Sequence, residues 1–556
     1  MRLFLGVTAL CLALAPLCVA VALPIVDLGY ELHQANPINI SQGLYNFSNI
    51  RYAAPPVGDL RFRAPVSPEI NRSEVQTGTV GRVCPQAMPL WATEIAPNFV
   101  ETQLLGLPYS GPYNINSSSY PTGAQDPRTT EDCLFLDVVV PQVVFDRSRN
   151  SCGFAGVPVL VWLYGGGFTT GDKSQYDPSG LIHRSMEGGK DGIVYVALNY
   201  RLGAFGFLGG YSIGKDGTSN AGLLDQRLAI EWVHKYIHLF GGDPEKITIM
   251  GESAGGGSVL HQITAYGGDQ GVAFKQAIIQ SPGFVPMTNE SVQEATLQQF
   301  LRIANVSTLE EARNLPSEKL IAANLYQVGV KSPYGTFTYG PVVDRTFAPA
   351  LPGQLLQDGR FAKHVKVMVG HNADEGLEFT PPSSLNDSGF EAYLKQALPD
   401  VSPAVLNEIT EVLYPPIYNG TYGYTTSVQR LSLAISDLAF QCSTDYLNRA
   451  YDNRTYAYWF TIPPALHGQD VPYTFFNGSN FFTGATTDVN TTVAIAMQQY
   501  ITSFVETGVP KSSIGPVFNE HGEKGTMMDF SDSGISETLD NTDNARCRFW
   551  QGAPYA

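Results

Sequence analysis

The chain has 556 residues, of which 44% are hydrophobic and 15% are charged, so it can bury a large core. Its formal net charge of -17 argues against nucleic acid or an anionic membrane as a partner. Length alone would allow three or four domains, but large α/β enzymes often form one, and the chain has no repeat or charged tail.

The first 22 residues are typical of a secretory signal peptide. Arg2 precedes an apolar segment that ends in the small residues Ala20-Val21-Ala22, after which we expect cleavage. A membrane anchor is the alternative, but the apolar run is short for a span. No later stretch is long and apolar enough to be transmembrane, so residues 23–556 are predicted to form one secreted, soluble domain.

Other features fit a secreted glycoprotein. Cys11 and Cys18 would leave with the signal peptide, and five remaining cysteines predict two disulfides and one leftover thiol. No C-x-x-C pair is present, so a cysteine-based zinc site is not expected. Eleven N-x-[ST] sequons are candidate glycosylation sites, at Asn39, Asn46, Asn71, Asn116, Asn289, Asn305, Asn386, Asn419, Asn453, Asn477 and Asn490.

Apolar runs and helically spaced apolar residues alternate along the chain. Strands are predicted at 157–163, 193–198, 247–250, 277–280, 365–369 and 456–460, and helices at 225–238 and 491–506. This alternation predicts an α/β fold with a largely parallel sheet and helices on both faces. Functional residues are then expected at the carboxyl ends of the strands.

A loop rich in glycine follows the first of these strands. Tyr164-Gly165-Gly166-Gly167-Phe168 is similar to the H-G-G-G type of loop that donates backbone N–H groups to an oxyanion. Glycine lets these amides turn inward without a side chain that would block the substrate. A flexible turn is the alternative, and the strand before the loop argues against it.

A G-x-S-x-G motif at 251–255 follows the predicted strand 247–250 and precedes a plausible helix. This context predicts a nucleophile elbow, a tight turn that presents the Ser253 hydroxyl to a substrate. A Cβ on either flanking glycine would collide with the adjoining strand or helix. A second such motif surrounds Ser212, but it follows a glycine pair and leads into a predicted loop, so we interpret Ser212 as structural.

A serine nucleophile needs a base, and on this fold class the order along the chain is Ser, acid, His. His467 lies in a loop just past the predicted strand 456–460, where a base can reach over the edge of the sheet. His261 on the elbow helix points away, and His364 precedes its strand. His371 and His521 remain as competitors.

The acid that orients the base is expected just after a strand end. Asp374 and Glu375 both follow the strand predicted at 365–369, and either carboxylate could accept the imidazole N–H. Position alone does not choose between them. The other would then be a loop carboxylate that caps backbone amides.

Together these motifs resemble the type-B carboxylesterase family, the cholinesterase and fungal lipase branch of the α/β hydrolases. The resemblance implies an α/β-hydrolase fold with no metal or organic cofactor. Its most specific segments are 51–58 (RYAAPPVG), 60–62 (LRF), 131–134 (EDCL), 199–203 (NYRLG), 220–227 (NAGLLDQR) and 240–244 (FGGDP).

Carried over by position, the resemblance assigns roles to individual residues. It implies Ser253 as nucleophile, Glu375 as acid, His467 as base, the amides of Gly166, Gly167 and Ala254 as oxyanion donors, and Glu252 as a nearby electrostatic or structural carboxylate. It also implies two disulfides, Cys84–Cys133 and Cys442–Cys547. Cys152 is then the odd thiol, which we expect to be buried and inert, and a disulfide with a second molecule is the alternative.

The loop at 84–133 is longer than its cholinesterase counterpart and is similar in style to the flap of fungal lipases. Its apolar residues could cover the site or contact lipid, or they could simply pack against the body, and they are Trp91, Phe99, Leu104, Leu105 and Leu107. The leading prediction is a secreted serine carboxylesterase for a small-molecule or lipid ester. The alternatives are an interfacially activated lipase, an ester-cleaving or acyl-transferring enzyme of secondary metabolism, and an inactive binding protein.

Overall fold

A computed structural model describes residues 23–115, 126–151, 153–478 and 489–555. The predicted signal peptide at 1–22, the sequon at Asn116 and the thiol of Cys152 lie outside these residues. The loop at 84–133 is described apart from residues 116–125.

The described residues contain strands and helices that alternate for most of the chain. The strands are β1 (Ile25–Asp27), β2 (Leu32–Gln34), β3 (Leu44–Arg51), β4 (Val75–Gln76), β5 (Phe135–Pro141), β6 (Val157–Leu163), β7 (Val194–Leu198), β8 (Gly242–Glu252), β9 (Gln276–Gln280), β10 (Lys366–Asn372), β11 (Tyr456–Phe460), β12 (Thr526–Ser531) and β13 (Gly534–Leu539). The helices are α1 (Ala96–Leu104), α2 (Gln142–Asn150), α3 (Ser179–Ser185), α4 (Gly203–Phe207), α5 (Tyr211–Asp216), α6 (Ala221–Tyr236), α7 (Ala254–Thr264), α8 (Glu290–Ile303), α9 (Leu309–Arg313), α10 (Ser317–Lys331), α11 (Pro352–Gln357), α12 (Asp387–Ala397), α13 (Pro403–Asn407), α14 (Ser427–Ser436), α15 (Cys442–Ala450), α16 (Val471–Thr474), α17 (Thr491–Thr507) and α18 (Ala545–Gly552).

A ten-stranded sheet organises the molecule, in the order β13-β12-β11-β10-β9-β8-β6-β7-β5-β3. The pairs from β12 to β7 are parallel, and the outer pairs β13–β12, β7–β5 and β5–β3 are antiparallel. Strands β1, β2 and β4 form a separate small sheet. The predicted α/β class with a mostly parallel central sheet is therefore confirmed.

The central strands are buried on both faces, which explains their continuous apolar sequences. All residues of β7 and β9 are buried, and in β6 only Pro158 is partly exposed. Since neighbouring parallel strands end at one edge of the sheet, the ends of β8, β10 and β11 bring three loops together there. No helix within the described ranges has the length and apolar composition needed to cross a bilayer.

The predicted elements correspond closely to the observed ones, with one error. Strands 157–163 and 456–460 match β6 and β11 to the residue, and strand 247–250 is the inner part of the longer β8. The loop predicted at 215–219 begins two residues later than expected, because Tyr211–Asp216 form α5 and only residues 217–219 are irregular. The Ser212 hydroxyl donates to Glu294 Oε1 at 2.7 Å and so fastens this short helix to α8.

Both disulfides expected from the resemblance are present in the structure, Cys84–Cys133 and Cys442–Cys547. Within the flap segment the apolar residues divide into two groups. Trp91 and Phe99 are buried, whereas Leu104, Leu105 and Leu107 are 47%, 62% and 53% exposed at the end of α1 and just beyond it. Packing in the core explains why Trp91 and Phe99 are apolar, but it does not explain the three exposed leucines.

One glycosylation candidate conflicts with the structure. Asn46 lies in β3 and is buried, and its Oδ1 accepts a hydrogen bond from the Ser48 hydroxyl. A glycan does not fit on this buried and hydrogen-bonded side chain, so the structure argues against Asn46 as a glycosylation site. By contrast, Asn71, Asn305, Asn386 and Asn419 are exposed.

Candidate active site

Ser253 occupies the turn between β8 and α7 in a strained backbone conformation, with φ 55° and ψ -124°. The two glycines of the motif are required by space. A Cβ on Gly251 would lie 2.5 Å from the carbonyl carbon of Gly255, and a Cβ on Gly255 would lie 2.0 Å from the Leu163 oxygen. The chain therefore passes through this turn only because these positions have no side chain.

A continuous line of hydrogen bonds joins the Ser253 hydroxyl to Glu375 through His467. The Ser253 Oγ is 2.7 Å from His467 Nε2, and His467 Nδ1 is 2.6 Å from Glu375 Oε2. The three side chains follow the ends of β8, β10 and β11, which are neighbours or near-neighbours in the sheet. Phe440 packs on the imidazole with a ring-centroid distance of 4.3 Å and holds its orientation.

The Glu375 carboxylate is fully buried and held on both oxygens. Its Oε1 accepts hydrogen bonds from the Ser281 hydroxyl at 2.6 Å and from the Asn372 amide at 2.5 Å. Asp374 points elsewhere and accepts a hydrogen bond from Ser432. The structure thus brings Glu375, and not Asp374, to His467. Sequence reasoning missed Ser281, because nothing in its local sequence signals this contact.

The competing histidines are engaged elsewhere. His371 Nδ1 lies 3.0 Å from the Thr444 hydroxyl, and His521 Nε2 lies 2.9 Å from Asp540 Oδ2. His261 is on α7, where its Nδ1 is 2.7 Å from the Gly257 carbonyl oxygen and burial lowers the pKa to about 4. Among the histidines that the structure describes, His467 is the one that hydrogen-bonds to the Ser253 hydroxyl.

The glycine loop after β6 lies beside Ser253. Gly166 and Gly167 have φ values of 101° and 60°, which are accessible mainly to glycine. A Cβ on Gly166 would lie 2.3 Å from the Thr170 oxygen, and one on Gly167 would lie 2.4 Å from the ring of Phe337. Gly167 and Ala254 line the same cavity as Ser253, and a Cβ on Gly165 would lie 2.9 Å from the Ser253 Cβ, so the glycine loop and the first residue of α7 both border the serine.

Carboxyl groups surround the imidazole and change its proton affinity. Glu252 is 6% exposed, and its Oε1 lies 3.5 Å from His467 Nε2. Burial favours a lower pKa for His467, but Glu252 and Glu375 outweigh this effect and raise the pKa above its ordinary value. Burial also raises the pKa of Glu252 to about 8 and that of Glu378 to about 7.

An apolar cavity of about 320 Å³ opens from the serine. Ser253, Ala254 and Gly167 line its inner end, but His467 does not. The walls are mostly apolar, and they include Phe168, Phe284, Met287, Leu438, Phe440 and Tyr555. Phe440 and Phe379, which both pack against the His467 imidazole, are among the lining residues, so the cavity reaches from the serine to the neighbourhood of the base.

Comparison with known proteins places these features in a family. A model of the carboxylesterase family matches residues 33–550. The chain is 41% identical to carboxylesterase patB of Aspergillus clavatus, over 95% of this chain and 96% of that protein. It is 32% identical to lipase 1 of Geotrichum candidum, over 77% of this chain and 80% of that protein. The crystal structure of Aspergillus niger EstA superimposes with a TM-score of 0.78 at 26% identity, covering 96% of this chain and 98% of that one.

Proposed function

The chain belongs to the carboxylesterase family and is a carboxylic ester hydrolase, and we propose that it works through a Ser253–His467–Glu375 triad and an acyl-enzyme. The observation that carries this proposal is the unbroken hydrogen-bonded line from the serine hydroxyl to the buried carboxylate. The bond from Ser253 to His467 is short enough for proton transfer, and the bond from His467 to Glu375 is short enough to orient the base.

The reaction then has two halves. Ser253 Oγ attacks the ester carbonyl carbon while His467 Nε2 takes its proton, and Glu375 stabilises the resulting imidazolium. The amides of Gly166, Gly167 and Ala254 stabilise the oxyanion. When the tetrahedral intermediate collapses, the C–O bond to the alcohol breaks and His467 protonates the leaving oxygen. A water molecule next gives a proton to His467 and attacks the acyl carbon. The bond from that carbon to Ser253 Oγ then breaks, His467 returns the proton to Ser253 Oγ, and the acid is released.

The base must be neutral to accept the serine proton. Ionised Glu252 stabilises the imidazolium and raises the pKa of His467, whereas protonated Glu252 does not, and burial raises the pKa of Glu252 itself to about 8. The Glu252 side chain would therefore tune the imidazole without taking part in proton transfer to the substrate.

The leaving oxygen must meet His467 Nε2 to be protonated, so the alcohol lies on the imidazole side of the serine. The apolar cavity opens from the serine and is also lined by Phe379 and Phe440, which pack against His467. Its mostly apolar walls would favour an ester with an apolar acid or alcohol.

A lipase that acts at an interface is the second candidate, and the exposed leucines 104, 105 and 107 favour it. Interfacial activation would appear as activity that rises sharply when the ester exceeds its solubility limit. Replacing the three leucines by serine should abolish that rise and leave hydrolysis of dissolved esters in place. A smooth saturation curve across the limit would exclude this candidate.

We also infer that the chain is exported, because its N-terminal sequence resembles a signal peptide and the fold contains two disulfides. Expression in a secreting host, followed by N-terminal sequencing of the protein in the medium, tests this inference. A mature chain that begins at Leu23 is expected, and a protein retained in the cells would contradict it.

The triad is tested by a pair of matched serine variants. Ser253→Ala should reduce ester hydrolysis by about 10⁴-fold or more, since the nucleophile is lost. Ser212→Ala removes the serine of the second G-x-S-x-G motif and should retain near wild-type activity. Equal losses in both variants, or full activity in Ser253→Ala, would refute the proposal.

A further inference from the structure

The cavity at Ser253 reaches solvent between three helices. Its inner end is lined by Ser253, Ala254 and Gly167, which are buried or half-buried. The exposed lining residues all come from the start of α8, the end of α10 and the end of α12 or from the residues directly after them, and they are Val292, Lys331, Pro333, Gln396, Pro399 and Asp400. These six residues define the mouth of the cavity.

One side chain links two sides of this mouth. Asn289 is the N-cap of α8, and its Oδ1 accepts hydrogen bonds from the amides of Ser291 and Val292 at 2.7 and 3.2 Å. Its Nδ2 donates to Asp400 Oδ2, just beyond α12, at 2.6 Å. Asn289 also lines the cavity. Its side-chain nitrogen therefore lies on the rim of the mouth, next to Asp400.

Asn289 begins the sequon Asn289-Glu290-Ser291, and among the sequons in the described ranges it is the one that lines the cavity. Its side chain is partly exposed. The helix cap uses Oδ1, and Asp400 uses one of the two N–H groups, so a sugar can replace the second hydrogen of Nδ2. A glycosylated Asn289 can thus keep both its cap and its bond to Asp400, in contrast to the buried Asn46.

Resting on the proposed function, we propose that Asn289 carries an N-linked glycan that covers part of the cavity mouth and restricts the enzyme to dissolved esters. The glycan donor is a lipid-linked oligosaccharide diphosphate of the secretory pathway. The bond from Asn289 Nδ2 to the first sugar carbon forms, and the bond from that carbon to the diphosphate oxygen breaks. The diphosphate leaves with the electron pair, and one amide proton is released.

The position of the glycan explains which substrates it excludes. Val292, Pro333 and Pro399 are exposed apolar residues at the mouth, and a lipid surface could settle on them. A bulky hydrophilic oligosaccharide that starts beside Asp400 would keep such a surface away from the mouth. A single dissolved ester can still pass beside a flexible glycan and reach Ser253.

The test begins with the full chain secreted from a glycosylating fungal host. Enzymatic deglycosylation in heavy-oxygen water converts a glycosylated asparagine into labelled aspartate, and peptide mapping should find this label at residue 289. Ser291→Ala removes the sequon, but it keeps Asn289 and the backbone amide that the cap uses. We expect the ratio of activity on an emulsified triglyceride to activity on dissolved nitrophenyl butyrate to rise by about threefold or more in this variant. Its kcat/KM for nitrophenyl butyrate should stay at the wild-type value.

Two matched variants separate the glycan from other effects of the substitution. Ser291→Thr keeps a sequon at Asn289, so both the label and the wild-type activity ratio should be retained. Ser73→Ala removes the sequon at Asn71, an exposed residue that does not line the cavity, and it should also leave the ratio unchanged.

The possible results decide the inference in either direction. An unmodified Asn289 in the secreted wild-type protein would overturn it, and so would an unchanged ratio in Ser291→Ala. An equal rise of the ratio in Ser291→Thr or in Ser73→Ala would also overturn it, because the rise would then not depend on a glycan at Asn289. The proposed function fails separately, since it requires Ser253→Ala to be inactive toward both esters. An inactive Ser253→Ala together with an unaltered ratio in Ser291→Ala would reject only the glycan.

Discussion

Gly167→Ala is a sharp test of the proposed oxyanion site. Gly167 has φ 60°, and an added Cβ would lie 2.4 Å from the ring of Phe337, so the loop must shift. Moving one backbone donor away from the oxyanion typically lowers kcat by about 10²–10³-fold, or about 2.7–4 kcal/mol. The left-handed backbone adds a stability cost of about 1–2 kcal/mol for any residue with a side chain.

The stability cost is separated from the catalytic one by a matched control. Gly188 is exposed, has φ 73° and has no atom within 4 Å of an added Cβ, so Gly188→Ala carries the backbone strain alone. Thermal unfolding should show a loss in Tm for both variants, larger in Gly167→Ala because its Cβ also meets Phe337. Steady-state kinetics with a dissolved ester should show a large loss of kcat only in Gly167→Ala. If folded Gly167→Ala stays within tenfold of wild-type kcat, the assigned oxyanion site is wrong.

Three further predictions follow from the site and the fold. Glu252→Gln removes a carboxylate that raises the pKa of His467. Activity needs the neutral imidazole and falls as the pH drops through the pKa of His467. The acid limb of the kcat/KM profile should therefore move to lower pH by roughly one unit in this variant. Glu375→Gln should lower kcat by on the order of 10³-fold or more with little change in KM, because the imidazolium loses its partner; a loss below tenfold would contradict this role. Replacing Cys442 and Cys547 by serine opens a bridge between residues 105 apart and should lower the free energy of unfolding in urea by about 2–5 kcal/mol, whereas an unchanged midpoint would refute the estimate.

The sequence predicts the frame of the molecule well, because buried parallel strands are continuous apolar runs. Strands 157–163 and 456–460 are found as predicted, and the turn at Ser253 follows from its flanking glycines and the preceding strand. These signals are local. Both the strands and the turn are determined by the pattern of residues within a few positions along the chain, and packing in the folded protein does not change them.

Features that depend on contacts between distant segments could not be predicted in this way. The position of a carboxylate after a strand does not choose between Asp374 and Glu375, because the choice depends on β10 continuing to Asn372 and on Ser432 from α14. The burial of Asn46 depends on its neighbours in the sheet. The carboxyl groups that act on the base, Glu252 and Glu378, come from separate segments of the chain, and only the fold shows that both raise the pKa of His467.

The central claim is that Ser253 carries the acyl group, and trapping the covalent adduct tests it most directly. A fluorophosphonate should add one phosphonyl group per chain, and peptide mapping by mass spectrometry should place it on Ser253. His467→Ala should label much more slowly, because the serine hydroxyl loses its base. Stoichiometric labelling of any other residue, with activity lost in parallel, would contradict the account.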